Sequence, residues 1–170
     1  MLPMAAPLAY FLTWTCHGTW LHGDERGSVD RQHNVPGTPY LPPQPRRRQI
    51  ETQRLRQTPV TLGPRARRVV ERAVRDHCQH RGWTLLAVNV RSNHVHVVVT
   101  CTPDVPPERA LTEFKAWSTR RLRGEGHVSA DVHVWTHHGS TRWINDATSL
   151  NAAVAYVTEG QSAERFGDRK

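Results

Sequence analysis

Apolar residues along the chain fall into two periods, one of strands and one of helices. Residues 9 to 16, Ala-Tyr-Phe-Leu-Thr-Trp-Thr-Cys, are rich in aromatic and β-branched side chains and predict a first strand. Over 64 to 81, Ala66, Val69, Val70, Ala73, Val74 and His77 recur at helical spacing. Pro64 suits the first turn of that helix and Gly82 its end. Residues 83 to 90 predict a strand, Arg91-Ser92-Asn93 a tight turn, and His94 to Thr100 the returning strand, so 83 to 100 reads as a hairpin. A second helix is predicted over 107 to 123, opening on Pro106-Pro107, and one or two short strands over 131 to 144. The last helix is predicted over 146 to 159, with Asp146 or Asn145 as its cap. The order β-α-β-β-α-β-α predicts an α+β fold of the ferredoxin-like sort, with helices beside a mostly antiparallel sheet.

Residues 17 to 63 show no clear period, apart from a short helix expected near 46 to 57. Pro36, Pro39, Pro42, Pro43 and Pro45 stiffen the middle of this stretch. Loops of such length are usually functional or disordered. The chain of 170 residues is read as one domain carrying this Pro- and Arg-rich insertion.

Two features in this pattern carry chemistry. His94 and His96 stand two apart on a predicted strand and so share a face, while Val95, Val97 and Val99 take the other. Two neighbouring imidazoles on an otherwise apolar strand make a start on a divalent-metal site; the bland alternative is a pair of solvent-facing histidines. Nucleotide hydrolases with alternating His-x-His-x-His need a third histidine where this chain has Val98. The second feature is Tyr156 on the last helix. Ala147, Leu150, Val154 and Val157 form an apolar stripe there, and Tyr156 lies about 140° from its centre on an ideal helix. A tyrosine outside the packing stripe, among Ala152, Ala153 and Ala155, can offer its hydroxyl to a phosphodiester.

Charge points the same way. The chain has 23 Lys plus Arg against 15 Asp plus Glu, a net +8, and only Lys115 and Lys170 are lysines. Arginine's planar fork suits phosphates and base stacking, so nucleic acid is the expected partner. Ten arginines fall between 46 and 75, a run that can track a DNA backbone or simply be a solvated helix face. Trp14, Trp20, Trp135 and Trp143 are candidates to stack unpaired bases, although most tryptophans in a small domain belong to the core. Cys16, Cys78 and Cys101 form neither a disulfide framework nor a CxxC site. No signal peptide or membrane span is read, so a cytoplasmic location is expected.

Asn93-His94-Val95-His96 followed by Val97-Val98-Val99, with Tyr156 on a helix some sixty residues on, resembles the IS200-type single-tyrosine HUH transposases and their REP-associated relatives. Phe11-Leu12-Thr13-Trp14, Cys16-His17-Gly18-Thr19-Trp20 and the pair Gly160-Gln161 add to the resemblance, which spans roughly 9 to 161. It implies an HUH endonuclease fold, commonly a homodimer, that binds hairpins beside single-stranded DNA. It further implies Mg²⁺- or Mn²⁺-dependent nicking and strand transfer through a 5′-phosphotyrosine. Carried over, His94 and His96 become metal ligands and Tyr156 the nucleophile. The family often has Gln or Asn four residues after the tyrosine, where this chain has Gly160. The third ligand is then Gln161, by resemblance, or Glu159, which lies only about 60° from Tyr156 on an ideal helix. Lys115, Arg91, Arg120, Arg65 and Arg68 are the candidate DNA contacts. The alternative functions are a non-catalytic DNA- or RNA-hairpin binder on the same fold, and a phosphoesterase that uses water.

Overall fold

The computed structural model describes residues 6–21, 24 and 41–160. Its elements are β1 (Ala9–Thr15), α1 (Pro45–Arg54), α2 (Pro64–Arg81), β2 (Thr84–Val90), β3 (His94–Thr100), α3 (Pro107–Gly124), β4 (Ser140–Ile144), α4 (Ala147–Ala155) and a π turn (Tyr156–Gly160). The four strands form one antiparallel sheet in the order β2-β3-β1-β4. That is the ferredoxin-like α+β arrangement the alternation of elements predicts.

Alternation in β1 divides the molecule. Tyr10, Leu12 and Trp14 point to one face and are almost wholly buried with Val95, Val97 and Val99 of β3. Against them pack Val69, Val70 and Val74 of α2 and Leu111, Phe114 and Leu122 of α3. Trp14 stacks on Phe114 (centroids 6.2 Å, planes 6° apart). Trp14 is therefore a core residue, and the expectation that it could stack a DNA base is corrected. Trp135 also meets Trp14 edge-on and bonds the Lys115 carbonyl through its indole N–H. Trp143, on the edge strand β4, is the exposed one of the set.

The other face carries less cover. Ala9, Ala87, Val98, Ile144 and Val157 make a second, smaller cluster, with Phe11, Leu150, Ala153 and Val154 against it. Here α4 and the π turn lie over part of the sheet. Of the predicted α4 stripe Leu150, Val154 and Val157 pack while Ala147 is exposed, and Val157 is fully buried while Tyr156 is not. Asp146 is the cap, its carboxylate accepting the Ser149 backbone N–H at 2.7 Å.

Several boundaries differ from the sequence reading for identifiable reasons. The last helix does not run as one α-helix from 146 to 159: it turns π at Tyr156. In the 131–144 stretch only β4 is a strand, joined by a bridge between Trp135 and Cys16. In β2 a bulge at Leu86 shifts the register between Leu85 and Ala87. The extra residue lets Leu85 face the main core and Ala87 the smaller one. It also puts Asn89 on the same face as His96, its register partner.

Candidate metal and tyrosine site

His94 and His96 project from β3 to the thinly covered face, their rings 4.7 Å apart and 71° inclined. Register places Thr13 of β1 beside His96 on one side and Asn89 of β2 on the other. The Thr13 hydroxyl meets His96 Nδ1 at 2.8 Å. His94 Nδ1 donates to Asn93 Oδ1 at 2.6 Å, because an amide oxygen can only accept. That bond leaves the lone pair of His94 on Nε2. When Thr13 accepts from Nδ1 of His96 in the same way, both rings offer Nε2, as imidazoles oriented by a second partner do at metal centres.

Electrostatics keep His96 neutral. Burial, then the neighbouring His94 and Arg91, push its pKa down to about 3. A buried neutral imidazole holds its lone pair for a cation at physiological pH. Arg91 closes the turn below the pair, its N–H donating to the His94 carbonyl at 2.8 Å. Cys16 N–H to Asn93 O (2.7 Å) and Leu62 N–H to Ser92 O (2.7 Å) tie the same turn to two other segments.

The π turn brings Tyr156 to this pair. Its ring lies 5.5 Å from that of His96 and 5.9 Å from Phe11, both edge-on, and it stays 38% exposed. Asn89 donates its amide to the Val157 carbonyl at 3.1 Å, fixing the π turn to the sheet. Thr158 caps inward on the Val154 carbonyl at 2.9 Å. On an ideal helix Tyr156 would face away from the packing stripe, and here its ring meets those of His96 and Phe11. Phe11, Thr13, Asn89 and Asn93 join the site although none was a candidate site residue; Phe11, Thr13 and Asn93 lie in the motifs that carry the family resemblance, and Asn89 had no advance signal.

The remaining candidates separate. Glu159 is exposed on the π turn, and Gln161 lies outside the described residues. Among the described residues no third His, Cys, Asp or Glu joins the histidine pair. The residues present still fit a divalent cation, since two imidazoles, each held by a second partner, leave room for an amide or water oxygen as the third donor. Lys115 is on α3, behind the sheet, and its ammonium donates to the carbonyls of Thr136, His137 and His138 (2.7, 3.2 and 3.0 Å). Burial pulls its pKa down to about 8. Arg120, also on α3, lies over the Trp117 ring at 4.9 Å. Neither stands at the histidines. Arg65 and Arg68 line an open cleft of about 620 Å³ at the start of α2, with Leu62 and His127. Other arginines of the run are paired: Arg72 with Glu125, Arg75 with Glu71 and Arg54 with Glu51.

Comparison with known proteins gives the family. The sequence model of the family described as "Transposase IS200 like" matches residues 46–159. No curated protein matches the sequence. A REP-associated tyrosine transposase, solved bound to a REP hairpin, is similar in structure: TM-score 0.51 at 10% identity, over 96% of this chain and 72% of that one. A presumed transposase of Deinococcus radiodurans R1 aligns at TM-score 0.46 and 15% identity, over 97% and 95% of the two chains. The low identities make this a likeness of fold, whereas the family match spans most of the sequence and includes the histidine pair and Tyr156. The chain belongs to the IS200-like transposase family.

Proposed function

We propose that this protein nicks single-stranded DNA and transfers the cut strand, using Tyr156 as nucleophile and His94 and His96 to hold a divalent cation, Mg²⁺ or Mn²⁺. The observation that carries the reading is the approach of the Tyr156 ring to His96, 5.5 Å between centroids, on a partly open face. When bound, the cation supplies Lewis-acid polarisation of the scissile phosphate. The chain does the rest. Tyr156 Oη forms a bond to phosphorus as the bond to the 3′-oxygen breaks. The leaving oxygen takes up a proton to become a 3′-hydroxyl, and the phenolic proton passes to solvent. The product is a 5′-phosphotyrosine, and attack by another 3′-hydroxyl reverses the step and rejoins a strand.

Two observations support the roles of neighbouring residues. Asn93 and Thr13 orient the imidazoles. The third ligand is proposed to be Gln161, by resemblance to the family, or Glu159, which is exposed on the π turn.

The substrate is proposed to be single-stranded DNA beside a hairpin, as the hairpin-bound structural relative suggests. Arg91 beside the histidines and the Arg65–Arg68 cleft are the proposed phosphate contacts. A homodimer acting in the cytoplasm completes the reading; no helix among the described residues is long and apolar enough to cross a membrane. A denaturing gel with labelled hairpin-flanked DNA and Mn²⁺ tests the chemistry. A slow covalent species is expected in the wild type and is absent from Tyr156→Phe and His94→Ala. Cleavage that survives Tyr156→Phe would hand the attack to water. Tight binding without any adduct or cleavage would leave a hairpin-binding protein.

A further inference from the structure

The β4 strand lies beside β1 of the site and carries Arg142. The β1–β4 register pairs Phe11 with Arg142, and directly opposed residues of an antiparallel pair project from the same face, with Cβ atoms about 5 Å apart. The face is fixed by the next pair with the same orientation, Ala9 and Ile144, both buried under Val157 in the smaller cluster. Arg142 therefore flanks Phe11, whose ring touches both Tyr156 and His96. From β3 to β4 is two strand spacings, roughly 10 Å. Register sets Arg142 in one row with Phe11 and Val98, and His96 in the neighbouring row with Thr13 and Ser140, so the guanidinium stands one strand beyond Phe11 and diagonal to the histidines.

Arg142 is exposed, and among the described residues it has neither an ion-pair nor a hydrogen-bond partner. Arg72, Arg75 and Arg121, by contrast, each spend their charge on a carboxylate. Thr141 and Trp143, its neighbours, point to the opposite face, where Thr141 bonds Glu108 and Trp143 meets Tyr10 edge-on. An unneutralised planar fork at this distance from a phosphoryl-transfer site matches a phosphodiester, which it can hold with two parallel bonds.

We propose that Arg142 is a phosphate-binding residue for the substrate strand, gripping a backbone phosphate next to the scissile one on the Tyr156 side. It rests on the reading of this face as a single-strand DNA site. Its task is to set the direction in which the strand crosses the sheet, with Phe11 as the apolar floor between the two phosphates. Arg91 stands at the other end, in the turn before His94, so the strand would be held on both sides of the histidines.

The test uses full-length protein made silent in chemistry by Tyr156→Phe, with and without Arg142→Ala. Binding of hairpin-flanked single-stranded DNA is measured against salt, using oligonucleotides that carry one neutral methylphosphonate at successive positions. The expected result is that Arg142→Ala weakens binding roughly tenfold and lowers the salt slope by about 0.7. One methylphosphonate position should weaken the parent by a similar factor and have no further effect in Arg142→Ala, with Mn²⁺ affinity unchanged. Arg142→Lys should recover part of the binding. If every position weakens both proteins equally, Arg142 is a solvated edge-strand arginine and the inference falls. If no single-stranded DNA binds the parent, the inference falls together with the reading beneath it. Position-specific coupling in a protein whose wild type forms no tyrosine adduct would sustain the Arg142 contact while removing the tyrosine chemistry.

Discussion

The two faces of the sheet are built from the same strands and do opposite work. On one, Leu12, Trp14, Val95 and Val97 are sealed under two helices of 18 residues each. On the other, Phe11, Thr13, His94 and His96 meet a helix of nine residues and a π turn. Adjacent residues of one strand thus have different surroundings: every second side chain is buried in the main core, and the ones between face the candidate site. The sparse cover of the second face leaves Tyr156 exposed beside a buried His96.

Substitutions on the two faces separate these roles. Tyr156→Phe should abolish the covalent adduct and strand transfer by at least about a thousandfold, with little change in melting temperature. Leu12→Ala, on the core face, should cost about 2–5 kcal/mol in denaturant unfolding. A matching loss from Tyr156→Phe would mean that the tyrosine is a packing residue.

Acid should act on the site face first. His96 has a folded pKa of about 3 against an ordinary 6.5, so the unfolded chain binds the proton first. Stability of the metal-free protein is then full above about 6.5 and declines as pH falls toward about 3, by a few kcal/mol at most. His96→Gln should flatten this part of the pH–stability profile.

Smaller effects test the supports. Thr13→Val and Asn93→Ala should each lower Mn²⁺ affinity by roughly 10–100-fold, measured by titration calorimetry, while leaving unfolding nearly unchanged. Loss of stability without loss of metal affinity would return both residues to the fold. Asn89→Ala should slow strand transfer about tenfold by loosening the π turn, at a stability cost of about 1 kcal/mol.

Much of the fold was legible because it rests on period. The α2 stripe from Ala66 to His77, its Pro64 start and its Gly82 stop lie where spacing puts them. The histidine pair was legible for the same reason, since i and i+2 on a strand must share a face. The setting of Tyr156 was not. A π turn depends on how Val157 packs and on the Asn89 bond from β2, and neither leaves a local mark near residue 156. The bulge at Leu86 is similar: it follows from two cores competing for Leu85 and Ala87. The DNA candidates were the least legible, because charge does not say which arginines are already neutralised by Glu125 or Glu71. Lys115, chosen by resemblance, proves to be a clamp on the carbonyls of 136 to 138.

The central claim is that Tyr156 becomes covalently joined to DNA at the histidine face. Mass spectrometry of the protein digested after reaction with hairpin-flanked DNA and Mn²⁺ tests it most directly. The account predicts a nucleotide linked through its 5′-phosphate to the peptide that contains Tyr156. A linkage on any other residue, or cut DNA with the Tyr156 peptide unmodified at every time point, would contradict it.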